Sequence, residues 1–140
     1  MKTNDLKLKQ RKAGTAVIQF INGASALLGG YMLMKDPSGL EIGLKTEYLA
    51  QTPFQNFLIP GIVLFVFNGL GNMTGFTITL ANKKRAGEIA MIFGAIMMIW
   101  IMSQVAWIGY KNYLQPLYFS TGLIQFIFGY YLYKVLKTRK

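Results

Sequence analysis

Four long apolar segments dominate the sequence, and each is close to the length that crosses a lipid bilayer as a helix. They cover residues 15–34, 58–81, 87–109 and 116–133. Twenty helical residues rise about 30 Å, which is the thickness of the hydrocarbon core. No Asp, Glu, His, Lys or Arg lies well inside any segment. The sequence therefore predicts a single all-α membrane domain over residues 1–140, an antiparallel bundle of four transmembrane helices.

The basic residues between these segments predict the orientation of the chain. The amino-terminal arm, the connection after residue 81 and the carboxyl-terminal tail carry 12 Lys or Arg, and the remaining segments carry 3. The positive-inside rule places both termini in the cytoplasm. Residues 36–57 then form a 22-residue extracytoplasmic loop.

The same charges bear on partners. A nucleic-acid-binding protein gathers its basic residues on one folded polar face, whereas here they lie in the gaps between apolar segments. We therefore expect no nucleic-acid partner. Basic residues at a membrane surface attract anionic lipid headgroups, so membrane lipid is the expected partner at the cytoplasmic face.

Amides and glycines recur at helical spacing inside the apolar segments. In lipid, small residues and interhelical hydrogen bonds join helices to one another. At about 100° per residue, Gly61, Asn68, Asn72, Gly75 and Thr79 share one face of the second segment. The candidate polar interior of the bundle is Gln19, Asn22, Asn68, Asn72, Trp100, Gln104 and Gln125. The candidate packing glycines are Gly23, Gly30, Gly71, Gly75, Gly94, Gly122 and Gly129.

Three interpretations of these polar faces stay open. Amides buried in hydrocarbon need hydrogen-bond partners, so the amides could pair with one another and join the helices. Alternatively, they line a polar cavity, and the protein is a passive channel or small-molecule carrier. In the third interpretation, the GxxxG pair of Gly71 and Gly75 contacts a second copy or another membrane protein. In addition, Gln104 is the nearest candidate acceptor for the indole N–H of Trp100, one turn earlier.

Missing residue types exclude several functions that small membrane proteins often have. The chain has no Cys and no His, which removes thiol redox chemistry, imidazole bases and the usual zinc and haem ligands. Proton-coupled transport typically needs a titratable group inside the membrane. We therefore expect no enzyme activity, no cofactor and no metal, and a structural, interaction or lipid-associated role.

The connection between the first two apolar segments carries local signals. Asp36-Pro37-Ser38-Gly39 has the composition of a β-turn. Residues 40–44 alternate between apolar and other residues, which favours a short extended piece. Thr46 is a candidate cap of a short helix that ends at Leu49. We expect this connection to fold back on the membrane surface.

Short pieces of the sequence resemble small uncharacterised four-helix membrane proteins of bacteria. They are Asp36-Pro37-Ser38-Gly39, Leu58-Ile59-Pro60-Gly61, Trp100 with Gln104, and Leu114-Gln115-Pro116-Leu117-Tyr118-Phe119. In size and helix count the layout is similar to that of the DoxX-like group. The resemblance implies a fold class and a bacterial membrane location, and it implies no activity and no site residues.

Overall fold

The computed structural model describes residues 2–138, apart from the side chains of Lys2 and Asn4, and it is helical without strands over that range. Four long helices carry the chain. They are α1 (Lys2–Lys35), α2 (Leu58–Leu80), α3 (Ala86–Ile108) and α4 (Leu114–Thr138). Within α2, residues Leu64–Leu70 form a π-helical stretch. Helix α1 includes most of the basic amino-terminal arm, so it begins well before the apolar segment.

Three of the four helices are long and apolar enough to cross a membrane. They are α1 from Asp5 to Lys35, α2 and α3. Helix α4 has 25 residues, which is sufficient length, but glutamines, tyrosines and hydroxyl-bearing residues lower its hydropathy. The all-α class and three apolar helices are thus confirmed, and the membrane crossing by α4 stays a prediction.

Residues 36–57 pack as a compact connection against one end of the four helices. Gly39 N–H donates to the Asp36 carbonyl at 3.0 Å, which closes the predicted turn. Leu49 and Phe57 are buried against Leu33 of α1. We call this end, with residues 109–113, the loop end, and the opposite end, with Lys83-Lys84-Arg85, the basic end.

Two local predictions in this connection were wrong. Leu40–Ile42 forms a 3₁₀ turn instead of an extended piece, because Gly39 and Gly43 on either side have positive φ and reverse the chain. Thr46 lies inside the short 3₁₀ helix Thr46–Leu49 rather than capping it. The cap position is Lys45, whose side chain makes no capping hydrogen bond.

Glycines bring neighbouring helices into direct backbone contact in antiparallel order. A Cβ on Gly94 of α3 would lie 2.7 Å from the carbonyl oxygen of Gly122 in α4. A Cβ on Gly30 of α1 would lie 2.7 Å from the carbonyl oxygen of Gly61 in α2. Real Cβ atoms essentially never come this close, so the helix spacing requires glycine at these positions.

The α3–α4 contact predicts unequal effects for two Gly→Ala variants. In Gly94→Ala, the new methyl group meets backbone atoms that cannot rotate away, and we expect about 1–3 kcal/mol of destabilisation from overpacking. In the control Gly29→Ala, the nearest atom is the flexible end of Leu64 at 3.4 Å, so stability should be unchanged or slightly higher. Thermal unfolding in detergent measures both. Equal melting temperatures for the two variants would contradict the close packing described here.

Candidate functional site

The side-chain amide of Gln125 in α4 contacts all three other helices. Its Nε2 donates to Asn72 Oδ1 of α2 at 2.8 Å and to the Ala90 carbonyl of α3 at 3.0 Å. Its Oε1 accepts from Asn22 Nδ2 of α1 at 2.7 Å. Gln125 is completely buried. Each of these three hydrogen bonds therefore joins α4 to another helix in place of a bond to water.

The network extends along α2 in the direction of the loop end. Asn72 Nδ2 donates to the main-chain oxygen of Asn68, one turn back, at 2.8 Å. The side chain of Asn68 is 1% exposed, yet no hydrogen bond to its amide occurs among the described residues. Asn68 and Asn72 look equivalent in the sequence, but only Asn72 bonds to another helix through its side chain.

A second group in the same interior joins α1 to α2 nearer the basic end. Thr79 Oγ1 lies 2.8 Å from Gln19 Oε1 and 2.9 Å from the Gly75 carbonyl. One hydroxyl proton can serve only one of these acceptors. Rotating the Gln19 amide by 180° exchanges its oxygen and nitrogen, so that Gln19 donates to Thr79 while Thr79 donates to Gly75.

Three buried polar atoms in this interior have no partner within the described part of the chain. They are Gln19 Nε2, Asn22 Oδ1 and Asn68 Oδ1. The rotated Gln19 amide would leave its oxygen unpartnered instead, which makes all three atoms acceptors. A buried acceptor without a partner costs about 1–3 kcal/mol. A water molecule or a ligand group that donates a hydrogen bond to one of these atoms would therefore stabilise the folded protein.

The remaining predicted residues lie outside the network. Trp100 and Gln104 line a separate cavity, and no hydrogen bond joins these two side chains in the described structure. The seven predicted packing glycines all approach another helix within this chain, including Gly71 against the Phe93 ring and Gly75 against the Gln19 amide. The two glycines of the GxxxG pair thus already have neighbours in this chain.

The cavity has a volume of about 370 Å³ and lies at the loop end. Its walls come from α1, α3, α4 and the first residues of the α2 π-helical stretch, and residues Ile42 and Leu44 of the connection close one side. Most of the lining is aliphatic, as with Leu33, Leu64 and Ile101. This volume and lining are typical of sites that bind small molecules.

Four uncharged polar side chains of the cavity wall lack hydrogen-bond partners in the described chain: Ser25, Trp100, Gln104 and Tyr118. Other hydroxyls in the long helices behave differently. Ser103 donates to the Ile99 carbonyl and Ser120 to the Pro116 carbonyl, each at 2.8 Å. The cavity therefore offers polar groups that are free to bind an occupant.

A lysine and a short turn form the mouth of the cavity. The Lys111 ammonium lies 4.5 Å from the centre of the Tyr48 ring, and it forms no ion pair with any described carboxylate. Gln115, which is 5% exposed, fixes the turn by accepting from the Lys111 N–H at 2.7 Å. The mouth is therefore basic and held in place.

The carboxylate of Asp36 orders the connection that covers the cavity. It accepts a hydrogen bond from the Ser38 hydroxyl at 2.6 Å and from the Glu41 N–H at 3.1 Å. These donors, with the Ser38 hydroxyl first, hold the pKa of Asp36 below its ordinary value. Asp36 therefore stays ionised at neutral pH, and the turn keeps both bonds.

Comparison with known proteins gives no relative for this arrangement. No protein-family model matches the chain, and neither the curated proteins nor the solved structures contain a match.

Sequence analysis missed the cavity, although it singled out two of its residues. Ser25, Lys111 and Gln115 were not among the predicted site residues. Gln115 has a recognisable signal, because a Glu or Gln in the first turn of a helix can reach back to a backbone N–H that precedes the helix, as Gln115 does with Lys111. The cavity itself depends on the spacing of three helices, and no local pattern in the sequence encodes that spacing.

The network predicts that two amides of similar appearance differ in importance. Gln125→Leu removes three hydrogen bonds between helices, and at about 0.6–1.7 kcal/mol each it should cost roughly 2–5 kcal/mol. Asn68→Leu removes an amide with no side-chain partner, so it should be neutral or stabilising. Unfolding titrations in detergent measure both variants. A larger loss from Asn68→Leu than from Gln125→Leu would show that the network is assigned wrongly.

Proposed function

We propose that this protein is a non-enzymatic component of a bacterial cytoplasmic membrane. It crosses the membrane as a bundle of four helices with both termini in the cytoplasm. Its role is structural, as a lipid-associated or interacting subunit, and its amides hold the helices together rather than conduct a solute.

The hydrogen bonds of Gln125 are the main support for this structural role. One fully buried amide reaches α1, α2 and α3 at 2.7–3.0 Å. A channel needs polar groups that stay free to exchange bonds with a moving solute. An amide that bonds three neighbouring helices favours a closed interior, and this supports a structural role over a conducting one.

The exterior of the helices supports a membrane location. Exposed large apolar residues occur on all four helices, and examples are Phe20, Phe67, Ile99 and Leu123. Water-soluble proteins rarely expose contiguous apolar surface beyond a few hundred Å². The excess of Lys and Arg at the basic end supports a cytoplasmic position for that end.

A small-molecule carrier is the second candidate, and the unpartnered atoms of the interior favour it. Gln19, Asn22 and Asn68 each leave a buried polar atom without a partner among the described residues. A water molecule or a solute that donates hydrogen bonds would satisfy them. In that function, Asn68 contacts the solute, and its replacement abolishes transport while the fold is kept.

Proteoliposomes distinguish the two functions. We expect the purified protein to give no more flux of ions or small neutral solutes than empty vesicles do, because the amide network closes the interior. Asn68→Leu serves as the matched variant, since it should fold as well as the parent. A flux in the parent that disappears in Asn68→Leu would overturn the structural role and establish the carrier.

A further inference from the structure

We propose that the cavity at the loop end binds one acyl chain together with the ester and phosphate groups of an anionic glycerophospholipid. The proposal rests on the membrane location proposed above and names the lipid class that the protein would bind. Three layers of the cavity, taken from its depth to its mouth, carry the argument.

The deepest layer is mainly apolar, and its one hydroxyl among the described residues is that of Ser25. Ala26, Leu64, Met97 and Ile101 contribute to the wall, and Ala26, Met97 and Ile101 are almost completely buried. About 370 Å³ is within the range of small-molecule sites. A hydrocarbon chain gains free energy from such a space chiefly by filling it, since an empty void gives up dispersion contacts. This layer fits the acyl chain.

The middle layer supplies donors for uncharged oxygen atoms. Gln104 lies four residues before Ile108, the last residue of α3, which places it about 6 Å below the helix end. Tyr118 lies four residues after Leu114, the first residue of α4, at the same depth. The Gln104 amide and the Tyr118 hydroxyl have no partner in the described protein. This layer fits the ester carbonyl of a glycerolipid.

The mouth supplies a positive charge for the headgroup. Lys111 lies at the cavity rim, and Tyr48 contacts its ammonium group by a cation–π interaction. By contrast, Lys35 at the same end is paired with Glu41. An ammonium group that is not paired with a carboxylate attracts phosphate at the depth of lipid headgroups. The order of chain, ester and phosphate in a glycerophospholipid thus matches the order of layers in the cavity.

Tryptophan fluorescence tests this proposal directly, because the chain has two tryptophans and one lines the cavity. In the Trp107→Phe background, Trp100 is the single reporter. Lysophosphatidylglycerol with bromine atoms on its acyl chain is titrated into the protein in detergent. We expect saturable quenching of Trp100, since a chain in the cavity brings bromine into contact with the indole ring.

Two glycine variants separate the cavity from the outer surface of the helices. Gly29→Phe fills the cavity, and a Cβ at Gly29 has one close neighbour among the described residues, Leu64 at 3.4 Å. The matched control is Gly14→Phe at the basic end, where the first contact is Phe128, also at 3.4 Å. Gly29→Phe should lose the saturable quenching and Gly14→Phe should keep it. Quenching that is linear, or equal in the parent and Gly29→Phe, would overturn the proposal.

Lysine variants and other lipids test the headgroup. Lys111→Gln should weaken binding of lysophosphatidylglycerol roughly fivefold, and Lys45→Gln, an exposed control at the same end, should not. A brominated monoacylglycerol lacks the phosphate and should bind equally to the parent and to Lys111→Gln. A brominated fatty acid that binds as tightly as the lysolipid would overturn the ester and phosphate assignment.

A further experiment distinguishes a lipid that enters from the bilayer from a free single-chain lipid. Brominated phosphatidylglycerol in nanodiscs quenches Trp100 when one chain of a bilayer lipid enters the cavity. Quenching by the lysolipid alone would assign the site to free single-chain lipids, and either result supports the shared chemistry. A solute flux in proteoliposomes would overturn the structural role and leave these binding results valid, so the two proposals fail separately.

Discussion

The fold depends on one constraint, which is that an amide buried among apolar helices loses free energy unless it finds a hydrogen-bond partner. Gln125 meets this constraint for all four helices at once, through Asn22, Asn72 and the Ala90 carbonyl. These bonds require the helices to approach closely. The glycine contacts between α1 and α2 and between α3 and α4 provide that approach. Glycine spacing and amide pairing are therefore two parts of one packing arrangement.

Close packing is not uniform along the helices, and this difference creates the cavity. The Gly94–Gly122 contact brings α3 and α4 into backbone contact. Toward the loop end, large residues such as Trp100, Ile108 and Tyr118 occupy the helix faces instead. A cavity remains there between α1, α3 and α4, and Ile42 and Leu44 of the connection cover part of the opening. The same chain thus has a closed interior near its middle and an accessible site at one end.

The sequence predicted the buried faces well, because burial follows helical periodicity. Gly61, Asn68, Asn72, Gly75 and Thr79 are all buried, as their spacing indicated. The partners of each amide could not be predicted in this way. Asn68 and Asn72 have the same side chain and share a face, but they lie about 6 Å apart along α2, and only Asn72 is at the level of Gln125. The π-helical stretch Leu64–Leu70, which contains Asn68, is not marked by any periodic pattern in the sequence.

The most direct test of the account is the coupling energy between Asn72 and Gln125. A double-mutant cycle with Asn72→Leu and Gln125→Leu, followed by unfolding in detergent, isolates this pair from the other bonds that each residue makes. The account predicts a favourable coupling of roughly 0.6–1.7 kcal/mol. A coupling near zero, with the two single losses adding to the double loss, would contradict the claim that these amides hold the helices together.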